Sequence, residues 1–149
     1  MQTSDAPVVV TQSFDCDIET VWRAITELAE MQAWFFAEIR EFKAEAGFET
    51  EFELQHEQKT YVHQWKILEA SSPTKIVYDW RYRDLPGIGH VTWQLAAQQN
   101  QTTLTLTNSV VESFPDDDPA FHRDSAVDGW TYLIQQRLKE HLEGLSQNQ

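Results

Sequence analysis

The side chains in this sequence best suited to chemistry are rings with polar tips. Trp65, Tyr78, Trp80, Tyr82 and Trp93 fall at alternating positions in strand-like segments, and Trp130 lies in a helical stretch further on. Alternation places one set of side chains on one face of a sheet. These rings are therefore expected to face inward, with Trp130 meeting them from a helix. Such a set makes either a packed aromatic core or a pocket for a flat or elongated apolar ligand. Each buried indole N–H or phenol O–H calls for a partner. Three tryptophans and two tyrosines on one sheet face carry more polar handles than a core needs, which favours the pocket.

Three polar residues complete the expected ligand-binding set. His63 shares the parity of Trp65 and is placed inward, as a core, rim or pocket residue. Asn108 has inward parity on the last strand, where it satisfies a backbone group or touches a ligand. Arg123 lies about two helical turns before Trp130, at the open end, facing solvent or receiving a ligand carboxylate or phosphate. No residue is assigned a catalytic role. If the pocket did catalyse, His63, Tyr78, Tyr82 and Arg123 would be its acid–base groups.

Neither a metal nor a cofactor is expected. Asp116-Asp117-Asp118 are adjacent carboxylates that do not converge on one ion without further ligands. His56, His63, His90, His122 and His141 show no zinc spacing, and Cys16 has no partner thiol. No Ser-His-Asp order, nucleophile elbow or phosphate-binding glycine loop occurs.

The chain has 149 residues, enough for a single domain over 1–149. A hydrophobic share of 41% and an aromatic share of 12% exclude a disordered chain. Lys and Arg total 11 against 24 Asp and Glu, a formal charge of −13. The densest basic stretch, Arg81-Tyr82-Arg83, is followed at once by Asp84, so nucleic acid is not expected as a partner. Nothing approaches the ~20 apolar residues of a membrane span, and Met1 to Val10 carries no Lys or Arg of a leader peptide. With one cysteine, the expected location is the cytoplasm.

The elements that must position these residues follow from periodicity. Val8 to Phe14 reads as a strand. Asp17 sits as an N-cap, and Val21, Trp22, Ile25 and Leu28 follow at helical spacing. Met31, Trp34, Phe35 and Phe36 suggest a second short helix. Phe48, Thr50, Phe52 and Leu54 alternate with Glu49, Glu51 and Glu53. Tyr61 to Glu69, Ile76 to Tyr82, Val91 to Leu95 and Leu104 to Val110 alternate likewise, giving an antiparallel meander. Asp84 to Gly89 reads as a loop, either a connection or a lid. Asp118-Pro119 predicts the start of a long helix reaching about Leu145, with Val127, Trp130, Ile134, Leu138 and Leu145 on one face. Gly129 within it indicates close helix–sheet packing or a hinge. Ser146-Gln147-Asn148-Gln149 reads as a frayed end.

That order resembles the helix-grip fold of the START and birch-pollen-allergen (Bet v 1-like) superfamily. Within it, the chain resembles single-domain proteins of the family named for the activator of the heat-shock protein 90 ATPase. The matching pieces are Val21-Trp22-Arg23-Ala24-Ile25-Thr26, Trp34-Phe35, Lys75-Ile76-Val77-Tyr78-Asp79-Trp80, Val91-Thr92-Trp93-Gln94-Leu95, Thr103-Leu104-Thr105-Leu106-Thr107 and Asp128-Gly129-Trp130. Two departures are Ala46-Gly47 in place of a Gly-Gly pair and Asn108 in place of a histidine. The resemblance implies an α+β fold in which a curved antiparallel sheet of about six to seven strands wraps a long C-terminal helix, with two short helices after the first strand. For function it implies three readings: non-catalytic binding of an apolar or amphipathic small molecule inside the grip, a protein-binding chaperone-accessory role using the acidic outer face, and a cyclase-like enzyme.

Overall fold

The computed structural model describes residues 1–147. Its elements run β1 (Val8–Phe14), α1 (Ile18–Thr26), α2 (Leu28–Trp34), β2 (Glu49–His56), β3 (Lys59–Ser71), β4 (Lys75–Tyr82), β5 (Ile88–Gln98) and β6 (Gln101–Glu112). A 3₁₀ turn, Pro119–Phe121, then precedes a helix over 123–147. The strands form one antiparallel sheet of six in the order β1-β6-β5-β4-β3-β2. This is the helix-grip arrangement: the meander β2 to β6 supplies five neighbours in sequence, and β1 closes beside β6.

Local chemistry sets the boundaries. Asp17 Oδ1 accepts from Thr20 N–H at 2.9 Å, capping α1 with one of its orphan donors satisfied. Val21, Ala24 and Ile25 bury its apolar face. A bulge between Ile67 and Glu69 leaves Leu68 40% exposed without disturbing the inward set Tyr61, His63, Trp65 and Ile67.

The long helix departs from expectation at both ends. Asp118 does cap, accepting from Ala120 N–H at 3.0 Å, but it caps the 3₁₀ turn. His122 is extended, so the helix proper begins at Arg123. At the far end Ser146 and Gln147 remain helical, and the rest of the expected frayed end, Asn148 and Gln149, lies outside the described residues.

Between these ends the helix is not uniformly α. Arg123–Thr131 (α3) and Lys139–Gln147 (α4) flank a π-helical segment, Tyr132–Leu138. The sequence explains why. The buried residues Trp130, Ile134, Leu138 and Leu142 are spaced four apart. Four residues overshoot a 3.6-residue turn by about 40°, so on a pure α-helix Leu142 would drift some 120° from Trp130. The wider π turn takes up that overshoot and keeps all four on the sheet. Val127 and Leu145, expected on the same face, are only half-buried.

Candidate functional site

Strand parity holds throughout the concave face, yet the interior it encloses is filled unequally. In one half, α2 and the segment after it supply Trp34, Phe35 and Phe42. Phe35 stacks on Trp65 at 5.6 Å between centroids, Phe42 lies 5.6 Å from Tyr78, and Trp34 meets Trp93 edge-on at 6.2 Å. Trp65, Tyr78 and Trp93 are thereby packed, each no more than 2% exposed, and none lines the cavity described below. The indole N–H groups of Trp65 and Trp93 and the Tyr78 hydroxyl have no hydrogen-bond partner among the described residues. The expectation that surplus polar handles imply a pocket fails for these three. Their handles go unpaired because the apolar contact around them, not the hydrogen bond, decides their position. Burial holds the Tyr78 phenol well above its ordinary value.

The other half is open. A cavity of about 190 Å³ lies between the helix at Gly129 and Trp130 and the far ends of β3 to β6. Five expected residues line it: His63, Trp80, Tyr82, Asn108 and Trp130. It shares His63, Tyr82, Phe121 and Gly129 with a wider opening of about 720 Å³ that also touches His56, Tyr132 and Arg137. Two glycines create the space. Gly129 has nothing within 4 Å of where a Cβ would stand, which corrects the expectation of close helix–sheet packing there. Gly89 occupies an inward position of β5 in series with the buried Val91, Trp93 and Leu95, where any larger residue would project into the cavity.

Sequence reasoning missed Gly89, along with Phe36, Phe114, Phe121 and Leu133, which line the same space. The signal for Gly89 was legible, an inward position in an apolar alternation occupied by no side chain. The signal for Phe121 was weaker: it is placed by the 3₁₀ turn and held over the cavity mouth by a latch. Tyr61 donates its hydroxyl to Asp118 Oδ2 at 2.8 Å, and the Phe121 ring lies 5.0 Å from Tyr82. Burial, reinforced by Asp118, pushes the Tyr61 phenol up to about 12.

Arg123 does not line the cavity. Its Nε donates to Ala6 O at 3.0 Å and a terminal nitrogen donates to Pro7 O at 3.1 Å, tying the helix start to the segment before β1. Arg137 is spent in the same way: Nε donates to Trp34 O at 3.2 Å and a terminal nitrogen to Ala33 O at 3.1 Å, satisfying carbonyls at the end of α2. The loop read as a connection or a lid is held too. Gly87, at φ +119°, sits so close to Phe114 that a Cβ would fall 2.2 Å from the ring, and Ile88 and Gly89 already belong to β5.

His63 is the most perturbed group in the cavity. Its ring stacks on Phe52 at 4.9 Å and meets Tyr82 and Trp80 edge-on at 4.7 and 5.5 Å. Burial pushes its pKa down to about 4, opposed by the contact of Nδ1 with Tyr61 O. Tyr82 is pushed up to about 12, again by burial. Both are neutral near pH 7. On the convex face, a broad depression holds Asp79, Arg81, Glu51 and Gln64, whose polar groups bind one another: Arg81 Nε donates to Asp79 Oδ1 at 2.7 Å and the Gln64 amide to Glu51 at 3.1 Å. Among the described residues no group of three or more His, Cys, Asp or Glu could hold a metal ion. No helix among the described residues is long and apolar enough to cross a membrane.

Comparison with known proteins agrees with this architecture. A family model described as Activator of Hsp90 ATPase homolog 1-like protein matches residues 15–143. No curated protein matches the chain. Among solved structures, protein CV1439 from Chromobacterium violaceum is similar at TM-score 0.74 and 19% identity, over 92% of this chain and 96% of that one. Protein BH1534 from Bacillus halodurans aligns at TM-score 0.69 and 24% identity, over 95% and 99%. PFC0360w, an HSP90 activator from Plasmodium falciparum, aligns at TM-score 0.73 and 17% identity, over 93% and 97%. At such identities the likeness is one of fold.

Proposed function

The chain belongs to the Activator of Hsp90 ATPase homolog 1-like protein family, and from that premise we propose that it binds an apolar or amphipathic small molecule in the space beside Trp130, without converting it. The observation that carries this reading is the void itself. A helix and a strand each present a glycine, Gly129 and Gly89, to one cleft of about 190 Å³. Larger side chains at those two positions would fill much of that volume, and interiors ordinarily leave few voids larger than a water. The aromatic walls offer area to a ligand, while His63 and Asn108 offer orientation. The same reading takes 1–149 as one functional domain and places it in a reducing, cytoplasmic setting that suits the lone Cys16.

Native mass spectrometry of freshly purified protein tests this. Extra mass that disappears on denaturation is the expected result, and its value names the ligand class. A clean apo mass, joined to no response of tryptophan fluorescence to small aromatic probes, would transfer the assignment to a second reading. That reading is a chaperone-accessory protein-binding role, favoured by the family description and by the exposed Glu49, Glu51 and Glu53 on edge strand β2, which suit a basic partner. Stimulation of an Hsp90 ATPase by the purified chain is its direct assay.

A further inference from the structure

Resting on the cavity reading, the geometry points to the charge and hydrogen-bonding class of the ligand: we infer that the site takes an uncharged molecule with a flat apolar body and one O–H or N–H donor, presented to His63 Nε2, and rejects the corresponding carboxylate. Three observations carry this.

The first is the tautomer of His63. Its Nδ1 lies 3.2 Å from Tyr61 O. A carbonyl oxygen only accepts, so Nδ1 must carry the proton and a neutral ring then presents a lone pair at Nε2. Nε2 has no hydrogen-bond partner among the described residues, although the side chain lines the cavity and the residue is only 6% exposed. Nε2 is not among the fully buried unpartnered atoms, so it is reachable from the cavity, where a ligand donor can meet its lone pair.

The second is the scarcity of countercharge. Among the described residues no Lys, Arg, Asp or Glu side chain lines the inner cavity. The guanidinium groups of Arg123, at the helix start, and Arg137, at the wider opening, are each committed to two backbone carbonyls. The one cation in the wall is the Met1 ammonium, which donates to Phe121 O and has Asp5 as its charge partner. A carboxylate drawn into this space would lose its hydration and have to compete for that single, already engaged group, a larger cost than burying a hydroxyl that finds an acceptor.

The third is Asn108. Its side chain lines the same wall and makes no hydrogen bond among the described residues. An amide both donates and accepts but carries no charge, so it tolerates a neutral polar tip. The low pKa of His63 supports the same conclusion, because the ring stays an acceptor at neutral pH.

The test compares naphthalene, naphthol and naphthoate (matching isomers) by quenching of tryptophan fluorescence at neutral pH. Trp80 and Trp130 in the wall supply the signal. Naphthol is expected to bind about tenfold more tightly than naphthalene and to exceed naphthoate by more. In His63→Phe, the advantage of naphthol over naphthalene is expected to disappear, the ratio of their affinities falling about tenfold. Histidine nitrogen NMR of the unmutated protein gives an independent readout: an unprotonated Nε2 whose resonance moves when naphthol binds. Naphthalene binding as well as naphthol, or naphthoate binding as well as naphthol, overturns the inference while leaving the cavity reading intact. Failure of all three probes overturns both. A protonated Nε2 in the free protein overturns the inference even if the His63→Phe protein does not fold.

Discussion

His63 makes the stability of the fold depend on pH. In an unfolded chain its imidazole titrates near 6.5, and in the folded protein near 4. Between those values the unfolded state binds more protons, so the folded state loses ground as pH falls through that window. Above about 6.5 the contribution of the neutral ring is complete; below about 4 nothing further is lost. The whole effect is on the order of 3 kcal/mol, from 1.36 kcal/mol per unit. Urea unfolding near pH 7, 5.5 and 4.5 is expected to show this loss in the natural protein and a flatter profile in His63→Phe. Carboxylates held low by their partners, such as Asp17 and Asp118, act in both proteins and cancel in the comparison. Parallel profiles would mean that His63 is hydrated in solution. At Gly87 backbone and packing act together: φ is +119°, and a Cβ would meet Phe114 at 2.2 Å. Gly87→Ala is expected to cost about 2 kcal/mol or more, read as a fall in Tm.

Gly129 makes the opposite case, because what it lacks is a neighbour. It lies inside α3, where glycine is about 1 kcal/mol less favourable than alanine, and nothing stands within 4 Å of the missing Cβ. Gly129→Ala should therefore raise stability by about 1 kcal/mol, while Gly129→Leu should fill the cavity and abolish probe binding. A Gly129→Ala protein less stable than the original would mean that the helix approaches the sheet more closely in solution. The elements themselves were legible in the sequence because alternation and helical spacing are local: β1, the cap at Asp17 and the inward faces of β3 to β6 all follow from it. Which half of the interior would be filled was not legible. That depends on where α2 and the segment to Phe42 fold back, and it decides that Trp65, Tyr78 and Trp93 pack while Trp80 and Tyr82 line a cavity. Arg123 was misplaced for a related reason. Position along a helix says which side a residue faces, but not that carbonyls of Ala6 and Pro7 will arrive there to take its donors. The π segment was present in the four-residue spacing of Trp130, Ile134, Leu138 and Leu142, a pattern a uniform α-helix cannot keep on one face.

Across the whole molecule, a formal charge of −13 is spread over a small surface. Exposed pairs relieve part of it: Arg83 with Glu51, Lys75 with Glu69 at 3.3 Å, and Lys139 with Glu143 at 3.9 Å. Such pairs contribute about 0–1 kcal/mol each and weaken in salt. The remaining carboxylates outnumber the cations available to them, and Glu49, Glu51 and Glu53 stand on the same face of edge strand β2. Those charges keep the edge from pairing with another sheet, and in doing so they repel one another. Salt thus acts in two opposed directions, loosening the pairs and screening the repulsion. With 24 acidic against 11 basic residues, the repulsion is the larger sum. The Debye length shortens from about 30 Å at 0.01 M to about 8 Å at 0.15 M, so most of the relief falls within that range. Tm is expected to rise by a few degrees between those concentrations of sodium chloride. Glu53→Gln, which removes one negative charge from the β2 cluster without breaking an ion pair among the described residues, should rise less with salt. A Tm that falls with salt would mean that the ion pairs outweigh the excess charge, and the acidic face would then be a neutralised surface, unsuited to drawing in a basic partner.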